Sequence, residues 1–254
     1  MFDTHAHLFD KKLLSNIEIL LDKINAENFL GIVCICENEQ EVNLFLDYYT
    51  KYNFLYCSIG IHPHNAKEFS LQKLQHLFDK TVATNRLVAI GETGLDFYYN
   101  FSSEEQQIKC FLAHIEFAKQ YSLPLIIHSR NSEQKIFDIL KSNKVEKGVI
   151  HCFSSDYSFA KNIIDLGLYL GFTGIITFRK NNKYKELIAS LPEDRIVLET
   201  DTPYLTPEPF RGKINTPLNL IYVLQKMSEI KNKDFKELEK IFDKNSLSLF
   251  NIKL

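Results

Sequence analysis

The chain has 254 residues, of which 45% are hydrophobic and 24% are charged, and these proportions are ordinary for a globular protein with a large buried core. Its formal net charge of −2 excludes a broad basic surface, so that any contact with nucleic acid must be local. Five cysteines without a C-x-x-C pair, the lack of a charged leader and the lack of a long uncharged span predict a cytoplasmic protein that does not enter a membrane.

Eight short apolar runs, each as long as a β-strand, recur along the chain. In chain order they begin at Phe2, Phe29, Phe54, Leu87, Leu123, Lys147, Leu168 and Arg195. Between them lie segments with the apolar spacing of helices, such as residues 13–24 and 108–117. Ser70 and Ser103 stand where they would cap the helices that follow them, and Gln106 completes a capping box with Ser103.

Strand runs that are apolar on both faces and alternate with helices predict parallel strands covered by helices. Eight such units in 254 residues predict an α/β fold, a (β/α)8 TIM barrel, formed by a single domain over residues 1–254. A doubly wound open sheet is the alternative. Residues 202–217 hold four of the seven prolines, which predicts a stiff, ordered loop after the eighth strand.

Ionisable residues end five of the predicted strands, at the edge of the barrel where active sites of this fold lie. They are His5 and His7 on the first strand, Glu92 on the fourth, His128 on the fifth, His151 on the sixth and Asp201 on the eighth. A single histidine at a strand end is more often a packing residue. Ionisable residues at the ends of five of the eight strands, however, favour a metal centre. Six such ligands exceed those of one catalytic zinc, which predicts two divalent ions (Mg²⁺, Mn²⁺ or Zn²⁺) that share Glu92.

On the first strand, Asp3, His5 and His7 alternate and therefore share one face. Asp3 is predicted either to orient one of the two histidines or to pack at the base of the barrel. His62 and His64 lie beyond the third strand, with Pro63 between them, and are predicted to contact phosphate or a leaving group; the alternative is a role in stabilising the turn. Three rim cations are predicted to bind phosphate, unless they are simply solvated: Arg130, Arg211 and Lys213.

Aromatic residues follow Glu92 at positions 98, 99 and 101. Tyr98, Tyr99 and Phe101 are predicted either to stack on nucleobases or to cover the barrel. His76 and His114 lie in helical segments away from the strand ends and are predicted to be surface or packing residues.

Several motifs resemble those of the TatD family of metal-dependent hydrolases, and the resemblance covers essentially the whole chain. They are DTHAHL, GIHPH, GETGLDFY, PLIIHSR, HCFS, LETDTPYL and RGKINTP. The resemblance implies an amidohydrolase-like TIM barrel with two divalent ions and nuclease activity on DNA from the 3′ end. It also implies that His5, His7, Glu92 and Asp201 hold one ion and that Glu92, His128 and His151 hold the other. The sequence departs from the family pattern at two places. Thr202 stands in place of serine but keeps the hydroxyl, whereas Ile214 or Thr216 stands where the last motif often has a charge, which leaves the preferred substrate more open than the metal site.

For phosphodiester hydrolysis, Asp201 is the predicted general base and Glu92 the second catalytic residue. The predicted substrate is single-stranded DNA or a 3′ end, with no obligate protein partner. Two alternatives remain open: an ester or amide hydrolase, such as a deacylase of aminoacyl ends or a lactonase, and a barrel that binds without catalysis. The intact ligand set disfavours the last, because buried ionisable groups without a metal reduce stability.

Overall fold

The computed structural model describes residues 1–99, 101–178 and 183–253. Within these ranges eight parallel strands lie in chain order in one sheet, each hydrogen-bonded to the next. They are β1 (Phe2–Ala6), β2 (Gly31–Cys36), β3 (Leu55–Ile59), β4 (Leu87–Asp96), β5 (Leu125–Arg130), β6 (Gly148–Ile150), β7 (Tyr169–Phe172) and β8 (Ile196–Leu198). Each predicted run overlaps one of them, and the TIM barrel is confirmed.

The chain that follows β8 closes the barrel against β1. The backbone N–H of Asp201 donates to the carbonyl of His5 (3.0 Å), and that of His7 donates to the carbonyl of Thr202 (2.7 Å). Ala6 and Thr202 also form an isolated parallel bridge. Barrel closure thereby brings three predicted ligands, His5, His7 and Asp201, to one place.

Helices alternate with the strands, as the apolar spacing predicts. They are α1 (Lys11–Leu14), α2 (Ile17–Ala26), α3 (Glu39–Tyr48), α4 (Leu71–Thr81), α5 (Glu104–Tyr121), α6 (Glu133–Ser142), α7 (Tyr157–Asp165), α8 (Lys183–Ser190), α9 (Leu220–Lys231) and α10 (Phe235–Leu249). Ser70 caps α4 through the N–H of Lys73, and both hydrogen bonds of the capping box that opens α5 are present. Over the described residues, no helix is both long and apolar enough to span a membrane.

The predicted helical segment at residues 13–24 is divided between two helices. Leu13 lies in α1, whereas the apolar positions from Ile17 onward lie in α2. Ser15 and Asn16 separate them, and Asn16 has a non-helical φ of −132°. Serine and asparagine favour helix ends over helix interiors, because their side chains compete for backbone hydrogen bonds.

Apolar side chains pack on both faces of the sheet. Along β2, Ile32 and Cys34 belong to the large cluster that includes the helices, whereas Val33 and Ile35 belong to a second cluster. The second cluster contains residues of other strands as well, among them Ala89, Ile126, Val149 and Val197. Burial on both faces explains why these strands appear as continuous apolar runs.

Residues 202–217 form an ordered loop, as predicted. The Asn215 side-chain amide donates to the carbonyls of Thr200 (2.9 Å) and Tyr204 (2.7 Å). Thr206 Oγ1 donates to the carbonyl of Lys213 (2.6 Å). These bonds hold the loop against the segment that carries Asp201.

His114 is a buried packing residue of α5 that holds the chain after β3. The N–H of Ile61 donates to His114 Nε2 (3.0 Å), and Nδ1 lies 2.8 Å from the carbonyl of Cys110, to which it donates. Burial lowers the pKa of His114 to about 4, so that the ring is neutral at pH 7. Because Ile61 precedes His62, this bond positions the loop that carries His62 and His64.

The buried neutral His114 predicts a loss of stability in acid. Its pKa is near 6.5 in the unfolded chain and about 4 in the folded one, so the unfolded chain binds the proton more tightly. The free energy of unfolding therefore decreases by about 3 kcal/mol in total as the pH falls from above 6.5 to below 4. We expect His114→Gln to reduce the difference in unfolding free energy between pH 7 and pH 4.5, measured by urea denaturation. His76→Gln, at an exposed histidine, should retain the wild-type difference, and equal pH dependence in all three proteins would contradict the assignment.

Candidate metal centre

The six predicted ligands converge at the carboxyl ends of the strands. Their ligand atoms form groups whose members lie within 4.8 Å of one another. Three such groups are found among the described residues: His5, Glu92 and His151; His5, His7 and Asp201; and His62, Glu92 and His128. The site is thus built from β1, β4, β5 and the chain just after β3, β6 and β8.

Glu92 stands at the centre, and its two oxygens face different histidines. Oε2 lies 3.3 Å from His5 Nε2 and 3.7 Å from His7 Nε2. Oε1 lies 2.8 Å from His128 Nδ1 and 3.5 Å from His62 Nε2. The backbone just before Glu92 packs closely on β5: Gly91 has a φ of +143°, and a Cβ at this position would overlap the carbonyl oxygen of Ile126.

Asp201 faces the β1 side of the site. Its Oδ1 lies 3.6 Å from His7 Nε2, 3.8 Å from His5 Nε2 and 3.9 Å from His151 Nε2. Asp201 has a φ of +55°, a left-handed conformation that is unfavourable for most residues other than glycine. Its N–H donates to the carbonyl of His5, and its own carbonyl accepts from the N–H of Tyr204, which holds it in this conformation.

The protonation states favour cation binding at the β1 histidines. Burial lowers the pKa of His5 well below its usual range and that of His7 to about 4, so both rings are neutral at pH 7. Their Nε2 atoms lie 3.2 Å apart. Burial alone would raise the pKa of Glu92, but the surrounding histidines lower it well below its usual range, so that Glu92 is an anion.

For two other candidate ligands the net shift of the pKa favours the protonated form. Burial raises the pKa of Asp201 to about 8. For His151, burial favours the neutral ring, but the carboxylates of Glu199 and Glu92 outweigh it and raise the pKa to about 10. The donor set of imidazole nitrogens and carboxylate oxygens fits Zn²⁺ or Mn²⁺, and the protons on Asp201 and His151 must leave when such an ion binds.

Two buried carboxylates that the sequence reasoning missed support the ligands. Glu199 Oε1 lies 3.0 Å from His151 Nδ1 and also accepts from the N–H of Cys152. Asp96 Oδ2 lies 3.2 Å from His128 Nε2 and 2.9 Å from His64 Nε2. Carboxylates in this position orient metal-binding histidines. Glu199 precedes Asp201 by two positions and Asp96 follows Glu92 by four, so the alternation of an extended chain could have indicated both.

Asp3 contacts the backbone of His5 rather than its ring. Its Oδ1 accepts from the N–H groups of His5 (3.2 Å) and Thr200 (3.0 Å), and its Oδ2 accepts from Thr200 Oγ1 (2.6 Å). Asp3 therefore links β1 to the chain after β8 and positions both sides of the site.

The groups differ in one respect from the pairing that the family resemblance implies. His151 groups with His5, whereas His128 groups with His62, a residue predicted to contact substrate. Burial lowers the pKa of His62, which keeps its ring neutral and available as a ligand. His64 lies farther out, beside Asp96.

The three predicted rim cations are exposed, and each lies over an aromatic ring. The guanidinium carbon of Arg130 is 4.2 Å from the ring centre of Tyr98, and that of Arg211 is 3.7 Å from the ring centre of Phe178. Lys213 Nζ is 5.3 Å from the ring centre of Phe210. These contacts leave the cations open to solvent and able to meet an anionic ligand.

Removal of the charge behind His151 should weaken metal binding. We expect Glu199→Gln to reduce the affinity for Mn²⁺ about 10- to 100-fold, because the amide no longer holds the ring through a charge. The affinity should also depend less steeply on pH, because the pKa of His151 falls without Glu199. Isothermal titration calorimetry between pH 6 and pH 9 measures both effects. The control is Glu193→Gln, which removes a carboxylate that pairs with Lys233 and should leave the Mn²⁺ affinity and its pH dependence unchanged. If Glu199→Gln also left both quantities unchanged, Glu199 would not support His151 as a ligand.

The chain matches known proteins over almost its whole length. The family model described as TatD related DNase matches residues 2–251. The metal-dependent hydrolase YabD of Bacillus subtilis (strain 168) is 35% identical over 254 residues, which cover 99% of each chain. The metal-dependent hydrolase YcfH of Escherichia coli (strain K12) is 31% identical over 258 residues, which cover 99% of this chain and 96% of YcfH.

A solved structure has the same fold over the full length. The crystal structure of YJJV, a TatD homolog from Escherichia coli K12, superposes with a TM-score of 0.91 at 28% sequence identity. The match covers 100% of this chain and 98% of YJJV.

Proposed function

The chain belongs to the TatD-related DNase family of metal-dependent hydrolases, and on this premise we propose that it cleaves phosphodiester bonds of single-stranded DNA from the 3′ end with two divalent ions. The observation that supports this proposal most is the arrangement around Glu92, whose Oε2 faces His5 and His7 while Oε1 faces His62 and His128. A carboxylate shared in this way is suited to two ions close together, which is the arrangement that phosphodiester hydrolysis uses.

Two sets of residues would each hold one ion. His5, His7 and Asp201 would hold one ion, with Glu92 shared. His62 and His128, or His151 as the family resemblance implies, would hold the other. When bound, such ions supply a water of lowered pKa and neutralise charge on the phosphoryl oxygens.

Asp201 is the residue that we assign as general base. Its side chain is 14% exposed at the mouth, whereas that of Glu92 is 3% exposed, so Asp201 is the carboxylate that an entering water meets. Burial raises the pKa of Asp201 to about 8, and bound cations would lower it, so that the carboxylate is ionised at neutral pH and can accept a proton. Asp201 then accepts the proton of the attacking water.

Substrate phosphates would contact the outer residues of the site. These are His64, whose side chain is 29% exposed, and the exposed cations Arg130, Arg211 and Lys213. Guanidinium groups bind phosphate through two parallel hydrogen bonds. We place this activity in one catalytic domain and in the cytoplasm, whose reducing conditions suit five free cysteines.

The test is the polarity of cleavage. Metal-stripped protein is given Mg²⁺, Mn²⁺ or Zn²⁺ and then a single-stranded oligonucleotide labelled at the 5′ or the 3′ end. We expect the 5′ label to appear on a ladder of ever shorter strands and the 3′ label to be released at once as a mononucleotide. Protein kept in EDTA is the control and should leave both strands intact.

Two outcomes would contradict the proposal. Cleavage of a circular single strand as fast as of a linear one would exclude an exonuclease. No cleavage of any strand by folded, metal-loaded protein would exclude a nuclease and leave an ester or amide hydrolase as the function of the same centre.

A further inference from the structure

An exposed group of aromatic side chains lies at the mouth of the barrel, directly after β4. It consists of Tyr98, Tyr99 and Phe101, which are 55%, 40% and 57% exposed, and we call it the aromatic ledge. Tyr99 and Phe101 are stacked, with ring centres 5.6 Å apart and planes inclined by 19°. So much of each ring faces solvent that the ledge is open to a ligand.

The ledge is continuous with the metal centre. The ring centre of His64 lies 4.8 Å from that of Phe101 and 5.6 Å from that of Tyr99, and both contacts are edge-to-face. His64 in turn shares Asp96 with His128, a candidate ligand. A molecule held at the centre therefore reaches the ledge without leaving the mouth.

A cation completes the ledge. The guanidinium carbon of Arg130 lies 4.2 Å from the ring centre of Tyr98 and 4.6 Å from that of Tyr99. Contact with two rings restricts the orientation of the guanidinium group while its N–H donors remain free for an anion. The ledge thus offers flat aromatic faces and a phosphate-binding group side by side.

We propose that the aromatic ledge is a base-stacking subsite, in which Phe101 and Tyr99 receive an unpaired nucleobase next to the scissile phosphate; the inference rests on the proposed nuclease function. Every base has an aromatic face, so stacking accepts any sequence, but it requires a base that is free of a duplex. Stacking also solves a problem of affinity, because a chain of net charge −2 gains little from bulk attraction to DNA.

The chemistry of the ledge favours a nucleotide over a protein surface. An apolar protein partner would cover the rings but would also remove Arg130 from water without a counter-charge, which is costly. A nucleotide provides both a flat ring and a phosphate. An acyl ester or a lactone without an aromatic ring would leave the ledge unused.

A tryptophan at the ledge reports stacking directly. The chain contains no tryptophan, so Phe101→Trp introduces a single tryptophan there, which can be excited selectively over the twelve tyrosines. The metal-loaded variant is titrated with a nuclease-resistant phosphorothioate strand and with the same strand carrying abasic residues at its last two 3′ positions. We expect saturable quenching by the first strand and little by the second. Ile19→Trp, on α2 and 58% exposed, is the matched control and should respond to neither.

Kinetics supply a second readout. Phe101→Ala should lower kcat/KM for single-stranded DNA about 5- to 100-fold, and Phe101→Tyr should retain most of the activity. The loss caused by Phe101→Ala and the loss caused by the abasic 3′ end should not add, because both remove the same contact. Additive losses, or equal quenching of Phe101→Trp by both strands, would overturn the assignment.

The experiments distinguish failure of the base-stacking subsite from failure of the nuclease function. Metal-dependent cleavage of DNA without quenching at position 101 would overturn the subsite and leave the nuclease. Quenching by the strand with bases, without cleavage of any DNA, would support a base-binding ledge and overturn the nuclease. Neither quenching nor cleavage would overturn both.

Discussion

Glu92→Gln should abolish metal-dependent hydrolysis, with a loss in kcat/KM of at least about a thousand-fold, or about 4 kcal/mol of transition-state stabilisation. The substitution keeps the size of the side chain but removes the charge that both ligand sets share. Oε2 lies 3.3 Å from His5 Nε2 and Oε1 lies 2.8 Å from His128 Nδ1, so one change affects both sides of the centre. We therefore expect both ions to be lost or bound weakly.

Metal content and rate are measured on the same preparation. Equilibrium dialysis against Mn²⁺ gives the number of ions per chain, and single-turnover cleavage of an oligonucleotide gives the rate. Glu116→Gln is a matched control, because Glu116 lies on α5 with its side chain 67% exposed and pairs only with Lys119 among the contacts of the described chain. Two ions per Glu92→Gln chain, or a rate within tenfold of wild type, would contradict a shared ligand.

The barrel and the place of its site can be predicted from the sequence because parallel strands of this fold leave a strong local signal. Val33 and Ile35 pack on one side of β2 while Ile32 and Cys34 pack on the other, so the strand is a continuous apolar run. The strands all end at one mouth, and an ionisable residue after such a run therefore lies near the others. The strands and the location of the site can therefore both be predicted without knowing the distances between side chains.

The grouping of the ligands is harder to predict, because it depends on the directions of rings across the barrel. His128 lies on β5 and His151 directly after the neighbouring β6, yet the first groups with His62 and the second with His5. His128 turns one nitrogen to Glu92 and the other to Asp96, and a contact of this kind leaves no trace in spacing along the chain. His62 is consequently a candidate ligand in the structure, although the sequence indicates a contact with substrate or a role in the turn.

Contacts between distant segments are missed for the same reason. The hydrogen bond from Ile61 to His114 joins residues 53 positions apart, and no local sequence pattern predicts it. The division of residues 13–24 into two helices is a local event, but the apolar spacing continues across Ser15 and Asn16 and conceals it. In both cases the periodicity of apolar residues carries no information on the polar contact.

Asp201→Asn separates the role of a base from that of a ligand. The amide keeps an oxygen near His5 and His7 but accepts no proton from water at neutral pH. We expect kcat to fall about 100- to 10,000-fold even when Mn²⁺ is raised to saturation, because a general base contributes about this much. Asp165→Asn, on an exposed aspartate of α7 that pairs with Lys161, is the control and should keep the wild-type rate.

The dependence of kcat/KM on pH tests whether Asp201 acts as a general base. A base acts when it is deprotonated, so wild-type kcat/KM should rise with pH until Asp201 is ionised. Burial places the pKa of Asp201 at about 8 when no cation is near, and bound cations lower it, so the rise should be complete below pH 8. The Asn variant should lose this rise and retain a low rate that changes little with pH. A variant that keeps both the rise and a rate within tenfold of wild type at saturating Mn²⁺ would show that Asp201 only binds metal.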